Sequence, residues 1–291
     1  MWVELVRTRT ADGVRLEGAL QPAWGGVDRR TAVDAVMLLP GVGANFYGST
    51  LMHTLTLELL QRGMAVLRPN TRGHDGISTA STAQGGRLQG AAYEIVDDCR
   101  YDLEAWSSFL LHRGYRQVAL VGHSLGALKS LYSQARQPSP EVACLVAISP
   151  PRLSYSRFLE HADREKLLQS LAEAERLVAA GRPQMLFEAS FPFPLVLSAA
   201  TFVDKYGPRE RYNFLRFAHQ IRQPLTFIYG EDELTHASAA FLDVEREVSQ
   251  VEWSNAGPGW KLIPGANHFF SGRMAELASV TGMELERLAP R

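Results

Sequence analysis

The pentapeptide Gly122-His123-Ser124-Leu125-Gly126 follows the apolar run Val118-Ala119-Leu120-Val121 and precedes the helical pattern Ala127-Leu128-Lys129-Ser130-Leu131-Tyr132. A G-x-S-x-G between a strand and a helix makes a turn so tight that the serine takes a strained backbone conformation. Its hydroxyl then stands clear of both elements. Side chains at 122 and 126 would collide across such a turn, which accounts for the two glycines. The chemistry suggested is nucleophilic attack by Ser124. A serine hydroxyl is too weak to act alone, so the chain must also supply a base, a carboxylate to orient it, and donors for a developing oxyanion.

The chain holds eight histidines. Where the partners follow the nucleophile as acid and then histidine, only His236 and His268 lie late enough. His236 sits beside the acidic cluster itself and could hardly reach both partners. His268 lies in Ile263-Pro264-Gly265-Ala266-Asn267-His268, a loop after the last strand pattern, and is the candidate base. The acid is sought just beyond the strand pattern ending at Tyr229-Gly230, where the chain reads Glu231-Asp232-Glu233. Residue type favours Asp232; spacing from the glycine favours Glu233. Asp232 is placed first, with Glu233 as the alternative acid. For the oxyanion, one backbone N–H is expected from Leu125, at the positive end of the following helix. A second is expected from the glycine-rich loop Pro40-Gly41-Val42-Gly43, with Val42 as donor and Gly43 next to it.

Further residues could touch a substrate. Asn45 and Tyr47 follow the glycine-rich loop, and His123 precedes the serine. Phe191 and Phe193 alternate with Pro192 and Pro194, which should hold that stretch extended. His74, in Arg72-Gly73-His74, reads as a brace for the neighbouring loop.

The 291 residues are 46% hydrophobic and 21% charged, with a net charge of −1, which fits a globular chain with ample core. So even a balance gives no support for nucleic-acid partners. Two cysteines are too few for a disulfide framework, and no Cys/His pairs show metal-ligand spacing, so neither metal nor organic cofactor is expected. No apolar run is long enough to span a membrane and no leader pattern opens the chain, so a cytoplasmic location is the expectation. Oligomeric state is not legible.

Several elements must position these residues. Stretches 2–8 and 14–20 read as a hairpin around Asp12-Gly13. Apolar runs at 35–39, 64–67, 118–121, 142–148 and 225–229 read as strands covered on both faces. Helical periodicity occupies 50–60, 95–110, 125–137, 164–180, 237–248 and 271–288. A weaker strand pattern lies at 260–263. Stretch 71–92, rich in Gly, Ser, Thr and Gln, reads as a long loop. Stretch 152–222 shows no clear buried strand and is crowded with aromatics. Strands alternating with helices predict an α/β fold with a mostly parallel sheet.

In order along the chain, Leu39-Pro40-Gly41-Val42-Gly43, Asn70-Thr71-Arg72-Gly73-His74-Asp75-Gly76, Gly122–Gly126, Gly230–Glu233 and Gly265-Ala266-Asn267-His268 resemble the motifs of the α/β-hydrolase superfamily, in its serine-hydrolase branch of esterases, lipases, thioesterases and serine aminopeptidase-like members. Two details depart from the family pattern. Proline precedes Gly41 where histidine is common, and the acid motif is one residue off with aspartate or on register with glutamate. The resemblance implies a mostly parallel central sheet of about eight strands, flanked by helices. It implies an α/β core at 1–151 and 223–291, with a helical cap inserted at 152–222. It also implies a triad of Ser124, an acid near 232 and His268. The expected activity is hydrolysis of a carboxylic ester or thioester with an apolar acyl group through an acyl-serine. The alternatives are acyl transfer from the same intermediate, and a non-catalytic binding protein on a hydrolase scaffold.

Overall fold

The apolar runs at the centre of the chain become adjacent strands in which every side chain, or nearly every one, is buried. The computed structural model describes residues 2–82, 85–236 and 239–289. In chain order, the first half comprises β1 (Glu4–Arg9), β2 (Arg15–Gln21), β3 (Ala35–Leu39), α1 (Thr50–Gln61), β4 (Ala65–Pro69), β5 (Ser78–Thr82), β6 (Gly85–Gln89), α2 (Cys99–His112), β7 (Val118–His123) and α3 (Leu125–Arg136). Then come β8 (Val142–Ile148), α4 (Tyr155–Leu159), α5 (Arg164–Ala179), β9 (Leu186–Ala189), β10 (Leu195–Ser198), α6 (Ala199–Tyr206), β11 (Leu225–Gly230), α7 (Glu231–His236), α8 (Val244–Ser249), β12 (Gly259–Ile263) and α9 (Met274–Leu288).

Eight strands form the main sheet in the order β1-β2-β4-β3-β7-β8-β11-β12. The β1–β2 and β2–β4 pairs are antiparallel and the rest are parallel. Alternation along the central strands divides the core into two layers. Met37, Leu120 and Leu145 face α2 and α3, whose Leu103, Trp106 and Leu131 join the same cluster. Val36, Val121 and Val146 face the other way, toward Leu55 of α1 and Leu277 of α9. Helices therefore cover both faces, as all-parallel strands require. This is the α/β-hydrolase arrangement of sheet and helices that the motif order predicts.

Three local expectations change. Stretch 71–92 is not wholly loop: β5 and β6 pair in register as a polar, largely exposed hairpin that carries no apolar signal. Residues 191–194 are not extended but form the bend joining β9 to β10. The helix expected at 237–248 starts outside the described residues, at 237–238; the described part holds α8, preceded by the separate helix α7 directly after β11. Between β8 and β11 the chain leaves the main sheet. Its buried Phe158, Phe191, Phe202 and Phe214 nevertheless belong to the same apolar cluster as Leu120 and Leu145, so this segment shares the α3-side core. Among the described residues no helix is long and apolar enough to cross a membrane.

Candidate active site

Four chain segments converge beyond the carboxyl ends of the parallel strands β7, β8, β11 and β12, where ligands bind in open α/β sheets. Ser124 sits between β7 and α3 with φ 54° and ψ −125°, a region that side chains rarely occupy. Its N–H donates to the Ile148 carbonyl at 2.9 Å. The turn closes only because of its glycines. A Cβ on Gly122 would lie 2.5 Å from the Ala127 nitrogen, and one on Gly126 would lie 2.2 Å from the Leu39 carbonyl oxygen. Gly41, in the loop after β3, lies directly against the serine: a Cβ there would sit 3.6 Å from Ser124 Oγ.

His268 reaches this hydroxyl from the loop after β12, with Nε2 to Ser124 Oγ at 3.0 Å. Its Nδ1 lies 2.5 Å from Glu233 Oε1. A carboxylate only accepts, so Nδ1 carries the proton and Nε2 keeps its lone pair for the serine O–H. The Glu233 side chain is almost fully buried. Its second oxygen accepts from the Ser149 hydroxyl at 2.5 Å and from the Gly230 N–H at 3.3 Å.

The imidazole thus meets Glu233, and Asp232 does not make that contact. The cause is geometric. Helix α7 starts immediately after Gly230, so the third residue on folds back over the strand end, where the Gly230 N–H meets its carboxylate. Asp232 is exposed; its N–H donates to the Ala266 carbonyl at 3.1 Å. Glu231 accepts from the Gly265 N–H at 3.0 Å. Both therefore hold the loop that carries His268. The acid that meets the imidazole is the one that spacing from the glycine favours, not the one that residue type favours.

His123 is buried beneath His268, the two rings 4.9 Å apart. Its Nε2 donates to the His268 carbonyl at 2.8 Å. Burial, reinforced by the neighbouring imidazole, pulls His123 down to about 3, so it stays neutral at working pH and serves as a fixed donor. Val42 and Leu125 flank Ser124 in the wall of a cavity of about 830 Å³. Leu125 is the first residue of α3, and an N–H at that position has no acceptor within its own helix.

The same cavity is walled by Leu153, Phe158, Phe191, Leu195 and Phe241, and Phe193 and Phe269 stand at its edge, both exposed. A smaller cavity of about 370 Å³ also reaches Ser124 and His268 and includes His123, Leu51 and Met274. Gly43, Asn45 and Tyr47 lie outside both linings. Gly43 has φ 64° and bridges to His74. Asn45 donates to Asp75 at 2.7 Å and accepts from the Gly48 N–H at 2.8 Å, so it shapes the loop and does not face the cavity. Tyr47 is 68% exposed. Ser149 escaped sequence reasoning because it meets Glu233 across two neighbouring strands, 84 positions apart. Among the described residues no cluster of three or more His, Cys, Asp or Glu could hold a metal ion.

Comparison with known proteins agrees with this architecture. An esterase from Pyrococcus furiosus superposes with a TM-score of 0.64 at 19% identity, covering 99% of this chain and 91% of that one. The alpha/beta hydrolase GrgF from Penicillium sp. sh18 gives 0.69 at 16% identity, covering 99% of both chains. Est1E from Butyrivibrio proteoclasticus, solved with ferulic acid bound, gives 0.65 at 13% identity, covering 97% of this chain and 98% of that one. No curated protein sequence matches. The sequence profile of the alpha/beta hydrolase family matches residues 36–280, most of the chain and all of the site, and the chain belongs to that family.

Proposed function

We propose that this protein is a serine hydrolase that cleaves a carboxylic ester or thioester through an acyl-serine. The observation that carries the reading is the unbroken chain Ser124 Oγ to His268 to Glu233. Ser124 attacks the substrate carbonyl while His268 takes its proton at Nε2. Glu233 holds the imidazole tautomer and stabilises the imidazolium that forms. The N–H groups of Val42 and Leu125 face the developing oxyanion, and close approach of the Gly41 backbone to Ser124 puts that loop in range. His268 then protonates the leaving group, and water enters with His268 as base to release the acid.

Residues 152–222 act as the cap that closes the cleft. Phe158 and Phe191 from this segment wall the large cavity, which suits an apolar acyl portion. The test is labelling by a fluorophosphonate probe together with hydrolysis of activated esters. Wild-type protein should label and turn over, and Ser124→Ala should do neither. Labelling that survives in Ser124→Ala would overturn the assignment.

A further inference from the structure

One polar part of the cavity wall, Lys205 and Tyr206, is not used by the proposed mechanism. Lys205 and Tyr206, the last two residues of α6, line the cavity that reaches Ser124, on an element remote from the Ser124–His268 pair. Lys205 is only 4% exposed. Its Nζ donates to Glu94 Oε2 at 3.2 Å, and the other oxygen of Glu94 is ion-paired with Lys129 of α3. Lys129 also donates to the Thr71 hydroxyl at 3.0 Å. All three ionic side chains are buried. Two ammonium groups therefore share one carboxylate, and the trio carries a net positive charge.

The nearest further acids are already engaged: Asp204 pairs with Arg211 and accepts from Tyr212, and Asp102 is held by Arg72. Burial pulls Lys205 below the ordinary lysine range; Glu94 and, to a lesser degree, Asp204 oppose this, and the Lys129 charge adds to it. That is the behaviour of a cation short of counter-charge. The Tyr206 ring packs edge-on against Phe191 at 5.6 Å and beside Phe202 at 5.0 Å. The residue is only 9% exposed and lines the cavity. A tyrosine at the cavity wall, next in sequence to a buried cation that shares its carboxylate with a second lysine, offers a hydroxyl donor for an acceptor in the cavity. Three acids also line the cavity, but none opposes an anion at this place: Glu233 is engaged with His268. Asp163 is paired with Lys166 at 2.7 Å, and Asp232 is exposed to solvent.

We propose that Lys205 and Tyr206 bind a carboxylate at the far end of the acyl chain, so that the preferred substrates are half-esters of dicarboxylic acids. The apolar walls take the methylene chain, the two donors take the terminal carboxylate, and the ester carbonyl lies at Ser124. This inference rests on the serine-hydrolase reading. Its test compares mono-p-nitrophenyl esters of adipic, suberic and sebacic acids with p-nitrophenyl hexanoate, octanoate and decanoate, each corrected for spontaneous release. At one chain length the half-ester should have a kcat/KM about tenfold above that of its neutral partner, the size of one charge-assisted hydrogen bond. Lys205→Met should abolish that preference, Tyr206→Phe should reduce it, and Lys205→Arg should retain part of it. A neutral ester equal to or better than the half-ester at every length in wild-type protein overturns the proposal, whether or not the variants fold. Failure to hydrolyse any ester, with no probe labelling at Ser124, would overturn the hydrolase reading itself.

Discussion

Three consecutive acids follow β11, and each makes a different contact. Glu231 and Asp232 hold the backbone of the His268 loop, and Glu233 alone meets the imidazole. Glu233→Gln should therefore lower kcat by about a hundredfold to ten-thousandfold, the range seen when a triad acid loses its charge. Asp232→Asn should stay within about threefold of wild type, because a backbone N–H makes its contact. A steady-state assay on one activated ester separates the two, and the opposite ranking would restore Asp232 as the acid. Ser149 acts through Glu233 as a positioning residue. Ser149→Ala should lower kcat by about tenfold with KM nearly unchanged, since it removes one hydrogen bond to a charged group and touches no substrate. At this scale the proposed nucleophile and base, which the structure brings within 3.0 Å of each other, are legible in the sequence through a motif and a chain order. The acid is legible only as a choice of two. Asn45 and Tyr47 mislead because nearness in sequence to the glycine-rich loop does not fix which way a side chain points. Ser149 is invisible because only strand pairing brings it to the site.

The elements that carry the site depend on backbones packed without room for a side chain, and the glycines differ in what that contact protects. A Cβ on Gly126 would fall 2.2 Å from a carbonyl oxygen of β3 and 2.4 Å from the next carbonyl, with only main chain to yield. Gly126→Ala should cost about 3 kcal/mol or more in urea unfolding and leave little folded protein. At Gly41 the added Cβ would stand 3.2 Å from Ser124 Cβ and 3.6 Å from its hydroxyl, contacts that small shifts relieve. Gly41→Ala should keep most of its stability and lose most of its activity, because the methyl group crowds the reacting oxygen. Equal loss of both properties in the two variants would contradict this division. The parallel strands are plain in sequence because burial on both faces leaves continuous apolar runs. The β5–β6 hairpin is not, since its largely exposed run of Ser, Thr and Gly resembles a loop. The bend at 191–194 is hidden for a related reason: two prolines stiffen a segment without saying whether it runs straight or turns.

Across the whole molecule, the segment between β8 and β11 is fastened to the sheet-and-helix core by charge as well as by apolar packing. Glu94, from the stretch between β6 and α2, joins Lys129 of the core helix α3 to Lys205 of α6. Burial alone would raise the Glu94 pKa, but the two lysines outweigh it and hold the carboxyl down at about 2, against an ordinary value of 4.5. A carboxyl depressed on folding stabilises the native state above its unfolded pKa and loses that contribution as pH falls through the folded one. The window is thus from about 4.5 down to about 2. A shift of this size corresponds to about 3 kcal/mol at neutral pH, of the order expected for a buried ion pair that loses one partner. Glu94→Gln should lose about that amount at pH 7, because both lysines stay charged without their counter-ion. Urea unfolding at pH 7, 5, 4 and 3 checks the sign. The gap between wild type and Glu94→Gln should be full at pH 7 and 5 and should narrow at pH 4 and again at pH 3, as the wild-type carboxyl takes up its own proton. A gap that stays constant down to pH 3 would mean that Glu94 contributes by shape and not by charge. The fastening would then rest on apolar packing alone, and the case for an uncompensated cation at Lys205 would lose its electrostatic footing.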